Sequence, residues 1–132
     1  MPKHCAPDVV VASGMTEDGY IPVDNTHLQT RYPNVYAVGD VTTAGVPKAG
    51  VFAEGAGRVA ARSVIATIRG AEPPEPYDGL GSCYIEFGAG RVGRVDVDFL
   101  SGLKPTGTYW APSTELVAEK ELFGSSRRAR WF

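Results

Sequence analysis

Apolar and polar positions along this 132-residue chain follow two periods. Between Lys48 and Arg69, Phe52, Ala56, Val59, Ala60 and Ser63 recur at helical spacing, opposite the charged row Glu54, Arg58 and Arg62. Pro47 stands before this segment and Gly70 after it, the usual asymmetry of helix ends. Gly50, Gly55 and Gly57 each weaken such a helix by ~1 kcal/mol against alanine. They predict close packing, or the close approach of a ligand, along its first two turns. At Gly50 the two readings weigh the same, whereas packing is favoured at Gly55 and Gly57.

Elsewhere the period is two. Val95, Val97 and Phe99 alternate with Arg94, Asp96 and Asp98, while Cys83, Ile85 and Phe87 oppose Tyr84 and Glu86. Strands are therefore expected over Gly81–Phe87 and Val92–Phe99, joined by a hairpin loop at Gly88–Arg91. The short run DVVVA, residues 8–12, fits a buried strand. Gly19 to Asp24 is extended, but Pro22 confines it to an edge. Val35 to Val38 forms the apolar core of another buried strand, which ends in Gly39-Asp40. Leu100 to Pro112 is rich in glycine, proline and threonine and is expected to be a loop. A helix follows, capped by Ser113 with Glu115 in its first turn. It carries Leu116, Val117, Leu122 and Phe123 and is expected to end at Gly124.

Pro73, Pro74 and Pro76 stiffen the connection 71–79 and place a domain boundary there. The fold class is thus α/β: residues 1–70 hold a strand–Gly-Asp–loop–helix unit, and residues 71–132 a small α+β lobe with a β-hairpin and a C-terminal helix.

Composition narrows the function. The chain is 43% hydrophobic and 21% charged, enough to bury a core. A net charge of −2 does not suggest a nucleic-acid binder. Cys5 and Cys83 are too few for a disulfide scaffold and match no zinc spacing, which suggests a reducing, cytoplasmic setting. No apolar run reaches the length of a membrane span, and MPKHCAPDVV lacks the apolar stretch of a signal peptide. His4 and His27 lack partners at ligand spacing, so no metal site is expected.

Three places carry candidate chemistry. A strand that delivers glycine and then a carboxylate offers a ligand a close backbone and a hydrogen-bond acceptor, here Gly39 and Asp40. A turn-capping Asp is the ordinary alternative. The start of the long helix, Pro47-Lys48-Ala49-Gly50, presents unpaired N–H groups and partial positive charge to an anion. Lys48 there is either an added cation for that anion or a solvated side chain. Cys83 is either a reactive thiol or a buried small hydrophobe. Cys5 has no motif around it.

Thr30, Pro33, Asn34, Val35, Tyr36, Ala37, Gly39 and Asp40 together resemble the second FAD-binding motif of the pyridine nucleotide–disulfide oxidoreductase superfamily. The resemblance implies that Asp40 holds the ribityl chain of FAD, with Gly39, Val41 and the Pro47–Gly50 segment against the flavin. A Pro-Lys pair occupies a similar place in sulfide:quinone oxidoreductases. The segment Gly81–Gly88 resembles the C-terminal lobe of that branch, which includes the flavoprotein subunit of sulfide-oxidising flavocytochromes. By that resemblance Cys83 is a redox cysteine, paired with one from a missing N-terminal part. No strand is followed here by GxGxxG and a distal acid. The chain accordingly reads as a C-terminal fragment of an FAD-dependent oxidoreductase, inactive alone and lacking its N-terminal FAD/NAD-binding half.

The resemblance further implies electron transfer from a nicotinamide or sulfur donor to an acceptor such as a quinone. The full-length protein would then use FAD, with NAD(P) as a second cofactor, and a homodimer is compatible with the family. The ending RRARWF reads either as a solvated tail or as a peripheral contact with the inner face of a membrane. The competing expectation is an interaction or dimerisation module, strongest for residues 71–132.

Overall fold

The computed structural model describes residues 5–132. They form α1 (Asp8–Ala12), α2 (Gly50–Arg69), β1 (Leu80–Gly88), β2 (Arg91–Asp98), β3 (Thr106–Ser113) and α3 (Glu115–Trp131). The fold is mixed α/β, with a three-stranded antiparallel sheet and a C-terminal helix. The chain divides into two compact units. The first runs up to Leu80 and takes in Asp98–Pro105; the second is Gly81–Val97 with Thr106–Phe132.

The first unit is built around α2. Its inner face buries Phe52, Ala56, Ala60 and Ser63, the face expected from the spacing. Gly70 closes the helix in the left-handed conformation at φ 61°, and its N–H and that of Ala71 take the last carbonyls. Against α2 lies a core of Leu28, Ala44 and Tyr77, with Val23, Val38 and Leu100 at its edge. Tyr77 is 4% exposed, and its hydroxyl donates to the Phe52 carbonyl at 3.1 Å. Residues 71–80, expected with the second lobe, thus run in the first unit. Phe99 meets Phe52 edge to face, with ring centroids 5.5 Å apart.

The backbone around this core is held by isolated bridges and turns. Asp24 is the largest organiser of the turns. Its carboxylate accepts from the backbone N–H groups of Thr26, His27 and Gln29 and from the Thr26 hydroxyl, at 2.5–2.9 Å. Partial burial pushes its pKa up, but these hydrogen bonds outweigh burial and hold it below the ordinary value.

Two expected buried strands are absent from this unit. DVVVA is the helix α1, with no buried residue. Pro7 precedes it, Asp8 opens its first turn, and Val10 and Val11 donate to the Pro7 carbonyl. A short apolar run does not by itself distinguish strand from helix, and here these helix-start signals prevail. Val35–Val38 is also not a buried strand. It contributes one antiparallel bridge, Gln29 to Tyr36, and Val35 is 38% exposed. The extended piece near Ile21 pairs in parallel with Thr42.

In the second unit β1, β2 and β3 lie side by side in chain order. The hairpin β1–β2 turns at Ala89 and Gly90, both with positive φ. Strand β3 was expected to be loop. Tyr109 and Trp110 suit a strand, and Pro112 is tolerated because β3 lies at the edge of the sheet. Helix α3 covers one sheet face: Tyr84 packs on Phe123, Lys120 pairs with Glu86, and Glu119 pairs with Arg94. Asp96 joins the strands by accepting from Ser82 and from the Trp110 ring N–H, both at 2.7 Å.

Gly124 does not end α3, which continues to Trp131. An interior glycine costs a helix only ~1 kcal/mol, less than the following turns return. The RRAR segment is therefore helical rather than a tail. Arg127 lies over the Phe123 ring at 3.5 Å, and Arg128 and Arg130 in the last turn suit the helix dipole.

Candidate functional site

Gly39 and Asp40 occupy a tight turn. Gly39 has φ 80°, where only glycine is unstrained, and its carbonyl accepts from both the backbone and the hydroxyl of Thr42. Thr42 is 2% exposed, so the turn is anchored from beneath. Asp40 stands exposed at the tip, and no side chain among the described residues pairs with its carboxylate.

The same turn faces the start of α2. Asp40, Pro47 and Lys48 form the rim of a narrow cleft, with Gly39, Phe52 and Ala53 also lining it. The cavity volume is ≈ 10 Å³, so the cleft is a slot for the edge of a ligand and not an enclosing chamber.

Helix α2 begins at Gly50, two residues after Lys48, rather than at Lys48 itself. Ala49 is its N-cap residue and has no side chain to cap it. The Ala49 carbonyl takes the N–H groups of Phe52 and Ala53. The earlier N–H groups of the first turn remain available to an acceptor. A Cβ added at Gly50 would meet nothing within 4 Å, so the described chain does not itself require glycine there.

Lys48 is not a freely solvated side chain. Its Nζ donates to the Thr42 carbonyl at 2.8 Å and sits 4.2 Å from the centre of the Tyr20 ring. Val41 contributes backbone rather than lining: its carbonyl accepts the Ile21 N–H. Tyr20 and Thr42 were missed in the sequence because their roles come from the parallel bridge that places Ile21 beside Thr42. Local spacing carries no sign of that pairing.

Cys83 belongs to the other unit, on β1. It is a free, exposed thiol. Its face also exposes Ile85 and Phe87, at 43% and 49%. The reading of Cys83 as a buried small hydrophobe is therefore corrected, because α3 covers the opposite, Tyr84 and Glu86, face. Cys5 is likewise free and exposed.

His27 is a loop histidine whose ring nitrogens meet the Thr26 hydroxyl and the Pro74 carbonyl, each at 3.1 Å. His4 lies outside the described residues. Among the described residues no three His, Cys, Asp or Glu side chains come together as a metal site, and no helix is long and apolar enough to cross a membrane.

The chain is thus mixed α/β, and its first unit sets the exposed Asp40 near the start of α2. No protein-family model matches it. Over 100 residues, 74% of the chain, it is 30% identical to the mitochondrial sulfide:quinone oxidoreductase of Mus musculus. The chain spans 22% of the length of that curated relative. It is therefore similar, at a distance, to part of an oxidoreductase.

Proposed function

We propose that the chain is the C-terminal portion of an FAD-dependent oxidoreductase that passes electrons from a nicotinamide or sulfur donor to an acceptor such as a quinone. The observation that carries this reading is the convergence of Asp40, Pro47 and Lys48 with Phe52 and Ala53 of the first turn of α2 on one cleft. The residues fit the cofactor. Asp40 has an unengaged carboxylate for ribityl hydroxyls, Gly39 leaves the backbone open, and Gly50 allows close approach. The similarity to a sulfide:quinone oxidoreductase supports the same class.

When bound, FAD supplies the redox chemistry. The chain's residues bind and bias it. Asp40 fixes the sugar-alcohol chain by charged hydrogen bonds. With the cofactor in the cleft, the Lys48 ammonium would supply positive charge to offset the negative charge gained on reduction. The backbone bond to Thr42 and the Tyr20 ring hold that ammonium in place. Cys83, exposed on β1, is the thiol this reading assigns to sulfur chemistry, with its partner thiol in the rest of the polypeptide. The exposed Ile85 and Phe87 beside it also suit an interface, so a binding role for the second unit is compatible with the same enzyme.

The test is Asp40→Ala in the full-length polypeptide. Losing a charged acceptor's hydrogen bonds weakens FAD binding by about 1.5–3 kcal/mol, roughly ten- to a hundredfold in Kd. An unchanged FAD dissociation constant would overturn the assignment.

A further inference from the structure

We infer that His27 is a pH-operated latch: as the imidazolium it ties the proline-rich connection 71–79 to the Asp24 turn, and on losing a proton it lets that connection go. The inference does not rest on the flavin reading.

It follows from counting protons. Pro74 offers the ring a carbonyl, which can only accept, so Nε2 at 3.1 Å must carry a proton to bond it. The neighbour of Nδ1 is the Thr26 hydroxyl, also at 3.1 Å. That hydroxyl has a single proton, and its oxygen stands 2.5 Å from the Asp24 carboxylate. The other partners of the carboxylate are the backbone N–H groups of Thr26, His27 and Gln29, all of them donors. Asp24 is therefore ionised, and the proton between the two oxygens comes from Thr26. The Thr26 oxygen has only lone pairs left for Nδ1, so Nδ1 must donate as well. Both ring nitrogens bond only when both are protonated, and that form is the cation.

The surroundings suit a cation. Thr26 connects the ring to the Asp24 charge, and α2 brings only Ser63, Ala66 and Thr67 to the same cleft. Among the described residues no lysine or arginine lines it, and Tyr36 is the other titratable group there. Glu72 and Glu75, which flank Pro73 and Pro74, are exposed. When the pH rises, the ring returns one proton to solvent. The Asp24 charge, reached from Nδ1 through Thr26, keeps the remaining proton on Nδ1. Nε2 then turns a lone pair towards the Pro74 carbonyl, and two acceptors face each other without a proton. The bond to the connection is lost. Tyr77 keeps the far end attached, because its N–H donates to the Thr26 carbonyl at 2.7 Å and its side chain is buried. Release is thus confined to the stretch before Tyr77. Pro73 and His27 both line the cleft, whose volume is ≈ 340 Å³, so the latch sets its width.

NMR on the 132-residue chain reads the latch through nuclear Overhauser contacts between the His27 ring and Pro74, at about pH 5.5 and about pH 8, on either side of the ordinary histidine range. In the wild type these contacts are present at the lower pH and lost at the higher. Thr26→Val removes the second acceptor, while Asp24 keeps its backbone donors and the turn stays formed. A neutral ring can then place its one proton on Nε2, so in this variant the contacts persist at the higher pH. Thr26→Ser, which retains the hydroxyl, behaves as the wild type and reads the latch with the turn's bonds intact. Contacts that persist at the higher pH in the wild type or in Thr26→Ser overturn the inference, and so does their loss in Thr26→Val.

Discussion

At the scale of single residues, Lys48 shows how a surface cation becomes a fixed charge. A lysine beside a helix start is disfavoured by the dipole unless something anionic or polar holds it. Here the Thr42 carbonyl and the Tyr20 ring do so, and they fix the ammonium at the rim of the cleft with Asp40. If the flavin lies there, Lys48→Ala removes a charge that opposes the negative charge of the reduced cofactor. The midpoint potential then falls, by about 20–30 mV for a two-electron couple, since 30 mV is a tenfold change in equilibrium constant. Redox titration of the holoprotein checks this, and a potential that stays or rises places Lys48 away from the flavin. Asp40 and Lys48 were legible as candidates because each sits at the end of a recognisable pattern. The partners of Lys48 were not, since they come from a segment about 28 positions upstream and from a backbone carbonyl.

At the scale of elements, α2 was the most legible piece and its packing partner the least. The 3.6-residue pattern, Pro47 and Gly70 together mark a helix, and the observed Gly50–Arg69 differs only at the start. The residue that fills its inner face is Tyr77, which stands in a proline-rich stretch and reads as a linker. Burial pushes the Tyr77 phenol up to about 12, with the nearby Asp78 charge a smaller contributor. A folded pKa above the unfolded value of about 10 means that folding favours the protonated form. The stabilising contribution is therefore complete below pH 10 and is lost as pH rises towards 12. Tyr77→Phe costs ~1 kcal/mol at neutral pH, because the hydroxyl's bond to the Phe52 carbonyl is lost. The variant also loses less stability than the wild type on going from pH 8 to ~11.5. Denaturant titration at both values measures this, and equal losses in the two proteins would show that Tyr77 does not titrate as a buried phenol.

At the scale of the whole molecule, the first unit presents a narrow cleft with a cavity volume of only ≈ 10 Å³. Calorimetry on the 132-residue chain is therefore expected to show FAD binding weaker than micromolar, because so small a cleft can meet only part of such a ligand. Submicromolar binding would contradict the reading of the chain as a partial site. The sequence alone determined α2 and the β1–β2 hairpin. Each of these is written in local periodicity, caps and turn residues within a few positions. Only the tertiary structure decided the conformation of DVVVA, the pairing of β3, the extension of α3 past Gly124, and the exposure of Cys83. The run at 8–12 found no sheet to enter, so its helix-start signals prevailed. Strand β3 exists because β2 offered an edge to pair with. Cys83 is exposed because α3 covers the other face of its strand. For β3 and Cys83 the outcome depended on groups distant in the chain, whose burial and pairing energies exceed local preferences of about 1 kcal/mol.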